Sequence, residues 1–489
     1  MTDWAAILAE LDRRRDAARA MGGEERVEKH RAAGKLDARQ RAAALFDPGT
    51  FVELGTLAGA PGADGLPPPA DGLIAGSGLI DGRPALCGVE DFTVLGGSIG
   101  DAGSSKRFRL TELAAREKLP LVFMLEGAGH RLTNHHANPA PNDLHGLARL
   151  SGQVPMVCLV LGPSAGHGAL TAPLSDFVVM TPQASLFVAG PPIVKAAIGE
   201  AVTKEDLGGP QVHLASGVAH NLAADDAAAI ALARQYLSYF APQAAPQDGE
   251  RRLDGILDLI SPDPRVPFAA RPVLDLLADA GSLLEVQPGY GGALVTALAR
   301  LGGRAVAILA SNPAVNAGSV DAAAAQKAAH FIDMADAHGL PLVFLADTPG
   351  VMPGTASERA GTLRHAARMF AAQHRARVPK LHVTLRKAFG FGSSIMAMNP
   401  FDHQTVSLAF PAISLGAMPA QAGASAAGLD PEAAARALAE QTASAWNLSG
   451  RMAYDEIIDP RDLRNALLQG LRLCVDRPLA PRNNEGILP

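Results

Sequence analysis

Two α/β domains in tandem, each a curled and mostly parallel sheet with helices, are the fold that this sequence predicts, and three observations predict it. The first is a buried strand and turn written nearly twice, LPLVFMLEGAGHR from Leu119 and LPLVFLADTPGVM from Leu340. The second is a common register. Lys106 and Lys327 stand 327 − 106 = 221 residues apart, and so do Leu119 and Leu340, and Gly82-Arg83 and Gly303-Arg304. The third is the local order within each half, a stretch of helical spacing followed within a few residues by a strand apolar enough to be buried on both faces, as a βαβ crossover requires. Features that keep their order over most of each half report a duplicated domain.

The elements follow in chain order. DPGTFVE (47–53) opens the first half and DAGSLLE (279–285) the second. Residues 83–89 and 304–309 are apolar strands entered from Asp-Gly and Gly-Gly turns. Residues 110–118 and 328–339 carry helical spacing, and 121–125 with its counterpart from Leu342 is the next strand. VPMVCLVLG and VPKLHVTLR then supply a further strand, at the offset 378 − 154 = 224, the small drift being a change of loop length. FAPQAAPQDGERR (240–252), rich in Pro, Gln and charge, reads as a linker. The domains are therefore expected over 1–245 and 246–489.

Composition limits the function. A chain of 489 residues with 48% hydrophobic and 19% charged residues is an ordinary globular sequence of more than one domain. The net charge of −6 offers no basic excess for nucleic acid or an anionic membrane surface. No run approaches about 18 apolar residues and the N-terminus lacks a cleavable signal pattern, so a cytoplasmic protein is expected. Cys87, Cys158 and Cys474 are isolated and odd in number, which speaks against a disulfide framework and for buried thiols that pack.

Chemistry in such folds gathers where a glycine-rich turn leaves the carboxyl end of a strand. Four such turns occur, EGAGHR (126–131), GPSAGHGA (162–169), DTPGVMPGT (347–355) and RKAFGFGSS (386–394). Glycine admits close backbone approach, and amides at the start of a helical turn lack partners, so these turns suit an oxyanion. The register sets Gly166 and Gly168 opposite Gly390 and Gly392, and a symmetry-related pair is stronger evidence than a lone turn.

KHRAAGKLDARQRAAALFDPGTFVELG (from Lys29), FVAGPPIVKAAIGEAVTKEDLGG (from Phe187), SGVAH (216–220), DTPGVMPGT, GTLRHAARM and RKAFG together resemble the carboxyltransferase β subunit of biotin-dependent acyl-CoA carboxylases. The resemblance runs over essentially the whole chain, to the terminal APRNNEGILP. It implies two tandem crotonase-like domains of the ββα-superhelix type, related by a pseudo-twofold axis. It also implies an oligomer, by family habit a hexamer, in which the N-domain of one protomer faces the C-domain of another. In that family carboxybiotin loses CO2 beside an acyl-CoA, and the acyl α-carbon enolate attacks the CO2. By similarity, the amides around Ala128, Gly129, Gly166, His167 and Gly168 would hold the thioester oxygen, and those of Gly390, Phe391 and Gly392 the biotin oxygen. Arg131, Gly350, Gly354, Thr355, Arg386, Lys387 and Ser394 would contact substrate or biotin, and Ser394 falls where short-chain members discriminate acyl groups. No side-chain base and no metal is implied.

Several features depart from the family pattern. Gly127-Ala128-Gly129-His130-Arg131 stands where S-G-G-A-R is usual, Ala165-Gly166-His167-Gly168 where A-G-G-A is usual, and Phe391 where glycine or alanine is usual. His130, His135, His136 and His145 are open to reading as a metal site, a polar acyl pocket or solvated loop residues. Arg386-Lys387 reads either as an anion contact or as surface charge, Asp347 as a turn cap, and the basic segments RRRDAAR and EKHRAAGK either as CoA-phosphate contacts or as solvated helix faces. No Met-Lys-Met biotinylation site and no ATP-binding loop occurs, so biotin must arrive on a partner, a biotin carboxylase or biotin carrier subunit. Two alternatives to carboxylation stand beside it: a biotin-dependent acyl-CoA decarboxylase subunit, and a crotonase-like binding protein without catalysis.

Overall fold

The computed structural model describes residues 3–62, 65–131, 142–241, 248–399, 401–442, 444–474 and 487. The chain divides after Ser238 into two compact units, with Ile487 returning to the first, where its amide donates to Ser151 Oγ at 3.0 Å. Residues 242–247 of the expected linker lie outside the described residues. The end of that segment belongs to the second unit, where Arg251 donates to the carbonyls of Leu276 and Ala278 at 2.7 and 3.1 Å.

Among the described residues each unit holds one eight-stranded sheet. In the first unit these are β1 (Val52–Leu54), β2 (Leu73–Ile80), β3 (Arg83–Glu90), β4 (Leu121–Gly127), β5 (Met156–Ala165), β6 (Phe177–Met180), β7 (Ser185–Phe187) and β8 (Asn221–Leu222). In the second they are β9 (Leu284–Val286), β10 (Leu294–Leu301), β11 (Arg304–Ser311), β12 (Leu342–Thr348), β13 (Lys380–Phe389), β14 (Gln404–Ala409), β15 (Ser414–Gly416) and β16 (Glu456–Ile457). The first sheet runs β1-β2-β3-β4-β5-β6-β8 with β7 on β5. The second has the same order from β9 to β16, with β15 on β13. The shared topology is what the common register of the sequence requires of a duplicated domain.

Local chemistry explains the layout. The β2–β3 and β10–β11 hairpins close on Asp81-Gly82 and Gly302-Gly303, all at positive φ, the two-residue turn whose twist matches that of the strands. From β3 and β11 onward the pairing is parallel, and β4 and β13 are buried along their whole length. The crossover helices start earlier than the apolar spacing predicts, at Asp101 and Ala322, because their first turns are small Ala, Gly and Ser residues with little periodic signal. Lys106 and Lys327 sit on the buried faces of these helices. Lys106 Nζ donates to the carbonyls of Ala70, at 3.0 Å, and Leu73, and Lys327 Nζ to that of Gln287 at 3.3 Å. Burial pushes both amines down to about 8.

The parallel register slips at an equivalent place in each unit, between Leu125 and Gly127 in β4 and between Ala346 and Thr348 in β12. The slip lies immediately before the glycine turns and splays the strand ends that carry them. The three cysteines are buried and unbridged, as their isolation predicts. Among the described residues no helix is long and apolar enough to cross a membrane.

Candidate active site

The turns that end β5 and β13 are built alike. Gly166 and Gly390 both lie at positive φ, +60° and +54°, where a side chain would be strained. Each spends its amide on the neighbouring short strand, Gly166 on Phe187 O at 3.0 Å and Gly390 on Gly416 O at 2.9 Å. That bond reverses the chain and presents the next two amides. Those of His167 and Gly168, and of Phe391 and Gly392, have no acceptor among the described residues. The donors that the sequence attributes to each turn thus narrow from three to two, with Gly166 and Gly390 acting as pivots.

The turn after β4 lies against that of β5, for a Cβ on Gly129 would stand 2.5 Å from Ala165 O. Ala128 was expected to offer an amide, but that amide already donates to Gly96 O at 2.9 Å. Gly129 gives its carbonyl to Ile99 N at 2.8 Å and keeps its amide without an acceptor among the described residues. In the second unit Gly350 repeats the carbonyl bond, to Val320 N at 3.0 Å, while its amide donates to Thr348 Oγ1 at 3.1 Å. Gly354 and Thr355 are exposed and start the short helix Thr355–Arg359.

The charged residues expected at the site are occupied within the protein. Arg131 clamps Asp71 Oδ1 at 2.6 Å and Ser98 O at 3.0 Å. Arg386 and Lys387 are neither surface charge nor free for an anion. Both are buried against Asp347, at 2.6 and 3.0 Å, and Arg386 also donates to the carbonyls of Ser261, Asp263 and Val266. Asp347 is accordingly an ion-pair partner and not the expected turn cap. In the first unit Glu126 takes the place of Asp347, and its cations come from the N-terminal segment, Lys35 at 2.5 Å and Arg41 at 2.7 Å. Lys35, the last residue of EKHRAAGK, is thereby committed to the interior. Ser394 is half-buried and donates to Asn399 Oδ1 at 3.1 Å.

One cluster escapes the sequence reading. Beneath the first unit's turns, buried Arg107 donates to Asp143 Oδ2 at 2.6 Å, Glu90 Oε1 at 3.2 Å and Thr171 Oγ1 at 2.5 Å. Asp143 Oδ1 meets His167 Nε2 at 2.5 Å, and Glu90 Oε2 accepts the Glu126 amide at 2.8 Å. Burial pushes the Glu90 carboxyl up to about 7 against the pull of Arg107. Asp143 is pulled down to about 2, since the bonds to His167 and Arg107 outweigh its burial. The available signal was Glu90 at the end of an otherwise apolar strand stretch, residues 85–89. Of the histidine set, His135 and His136 lie outside the described residues, His145 is exposed, and the His130 ring packs edge-on at 5.4 Å from that of His167. Among the described residues no group of metal-ligating side chains forms.

Residues 29–486 match the carboxyl transferase domain model, which covers both sheets and all four turns. The chain belongs to the carboxyl transferase family. It is 35% identical to the methylmalonyl-CoA carboxyltransferase 12S subunit of Propionibacterium freudenreichii subsp. shermanii, over 99% of this chain and 97% of that protein. It is 34% identical to the methylmalonyl-CoA decarboxylase subunit alpha of Veillonella parvula, over 94% of each. Its structure superposes on the crystal structure of transcarboxylase 12S with a TM-score of 0.92 and 33% identity, covering 100% of this chain and 99% of that one. The fold is therefore that of the crotonase-like carboxyltransferases, and the chain is an enzyme of the acyl-CoA carboxyltransferase kind.

Proposed function

We propose that this carboxyltransferase subunit moves CO2 from biotin on a partner polypeptide to the α-carbon of a short-chain acyl-CoA, with the first unit holding the acyl-CoA and the second the biotin. The observation that carries this reading is the pair of equivalent turns, each offering two amides without an acceptor among the described residues. The biotin group fits the second turn as a cradle of backbone. A Cβ at Gly390 would stand 2.9 Å from Ala417 O and one at Gly392 2.7 Å from Gly350 Cα, so the turn stays narrow and lined by main chain. Carboxylated biotin supplies the CO2 and, once relieved of it, a nitrogen basic enough to take the α-proton.

The chain's own residues supply charge stabilisation. The amides of His167 and Gly168, with that of Gly129 beside them, face the thioester oxygen as the α-proton leaves and negative charge gathers there. The Phe391 and Gly392 amides hold the biotin carbonyl oxygen. A preorganised donor of this kind contributes about 3 kcal/mol in a site shielded from water. Carbon–carbon bond formation between the enolate and CO2 then needs no side-chain base. Ser394, close to the second turn, sets the length of acyl group accepted.

The active assembly is a homo-oligomer, and transcarboxylase 12S is described as a hexamer. It acts in the cytoplasm with a biotin carboxylase and carrier subunit. The likeness to a methylmalonyl-CoA decarboxylase subunit keeps the reverse direction as a second reading, since the same two sites serve both. The test is transfer of labelled bicarbonate to a panel of acyl-CoAs by this chain with its partner and ATP. Label in the acyl-CoA supports carboxylation. Release of CO2 from methylmalonyl-CoA without ATP-driven fixation supports the reverse.

A further inference from the structure

The two turns are equivalent in backbone and different in what lies beneath them. Under the second, the positions matching Glu90 and Arg107 are Ser311 and Ala328, and Phe391 is 38% exposed with its ring 5.4 Å from that of Phe370. Under the first, the residue that bears one of the free amides is fastened by its side chain. His167 Nε2 is bonded to Asp143 Oδ1, Asp143 Oδ2 to Arg107 Nε, and Arg107 reaches on to Thr171 Oγ1. Thr171 closes the single helical turn Gly168–Thr171 that His167 opens. One fully buried Arg–Asp pair thus pins both ends of the segment that carries the two amides.

We propose that the His167 side chain is a positioning residue of the first half-site, holding the His167 and Gly168 amides on the acyl oxygen through its bond to Asp143; this rests on reading that turn as the acyl oxyanion site. The fold does not need a bond from this side chain, because Phe391 holds the equivalent place in the second unit and buried Gln373 steadies that turn instead, donating to Ser394 O at 3.0 Å. The use of the bond is electrostatic and geometric. Glu90 Oε1 lies 3.2 Å from where a Gly168 Cβ would be, so a carboxyl group sits directly under the turn and, when ionised, would repel an enolate oxygen. Arg107 and the His167 N–H face the Glu90 and Asp143 carboxyls and offset them, while Lys35 and Arg41 do the same for Glu126, and His130 packs on the His167 ring. With the ring tied down, the amides are aimed before charge develops, which is the condition under which backbone donors stabilise a transition state more than a ground state.

The test compares wild type with His167→Ala and His167→Gln, the latter keeping a nitrogen donor that can reach Asp143. Two probes are titrated calorimetrically into the purified full chain: propionyl-CoA, and a nitroalkyl-CoA analogue whose ionised nitro group carries an enolate-like charge. His167→Ala should bind propionyl-CoA within about 3-fold of wild type, lose about 10- to 100-fold in affinity for the charged analogue, and lose kcat by the same factor in the assembled complex. His167→Gln should recover most of both losses. Unchanged preference for the charged analogue in His167→Ala overturns the proposal, as does a His167→Gln variant no better than alanine. A wild type that binds neither probe overturns the acyl-site reading itself, and with it this inference. Matching melting temperatures exclude misfolding as the cause.

Discussion

Replacing Gly392 with alanine puts the reading of the second turn under the most direct strain. An ideal Cβ at this position would lie 2.7 Å from Gly350 Cα and 3.1 Å from both Gly350 N and Thr348 Cγ2. Gly350 cannot retreat, since its carbonyl accepts the Val320 amide at 3.0 Å and its own amide donates to Thr348 Oγ1 at 3.1 Å. The turn itself must move, and its two amides move with it. Losing one aligned donor costs about 2.7–4 kcal/mol, so transfer should fall by about 10²- to 10³-fold. Gly168→Ala is the matched control. Its Cβ meets no main chain, only Glu90 Oε1 at 3.2 Å and Ile99 Cδ1 at 3.4 Å, a milder contact than that at Gly392, and a loss below about 10-fold is expected. The assay is labelled-carboxyl transfer in the assembled complex, with acyl-CoA affinity measured separately by calorimetry. A Gly392→Ala variant that keeps its rate would refute the role of the turn. One that loses acyl-CoA affinity as much as rate would show that the two half-sites are assigned the wrong way round.

Two further outcomes concern the buried charges. The folded-state values of Lys106 and Lys327, about 8, lie below the ordinary lysine range. Each charged amine therefore costs stability in full below about pH 8, and the cost fades as pH rises toward that range; wild type should gain about 2–3 kcal/mol on Lys106→Met between pH 7 and 10. Urea titrations at both pH values check this, and a difference that does not change with pH contradicts it. Arg386→Met leaves Asp347 with Lys387 alone and strands three carbonyls, so a loss of about 3–5 kcal/mol is expected by denaturation. A loss under about 1 kcal/mol would mean that the cluster relaxes or is wet.

Much of the architecture was legible because duplication writes itself into register. Lys106 with Lys327 and the two LPLVF strands fall on equivalent elements, and even the slip in β4 recurs in β12. The turns were legible as well, since a glycine at positive φ is hard to replace. Which amides remain free was not, because it depends on bonds between segments far apart in sequence, as from Ala128 to Gly96 and from Gly166 to Phe187. Burial of charge was hidden for the same reason. Arg386 and Lys387 look like surface cations until Asp347 is brought beside them, and Glu90, Arg107 and Asp143 converge only in the fold.

The central claim is that two backbone turns transfer a carboxyl group between biotin and an acyl-CoA. The measurement that bears on it most directly is the fate of labelled bicarbonate when this chain is combined with a biotin carboxylase, its biotinylated carrier and ATP in the presence of propionyl-CoA. Label should appear in a stable acid on the acyl chain, at a rate that collapses in Gly392→Ala. Label that accumulates on the carrier and never reaches any acyl-CoA would contradict it.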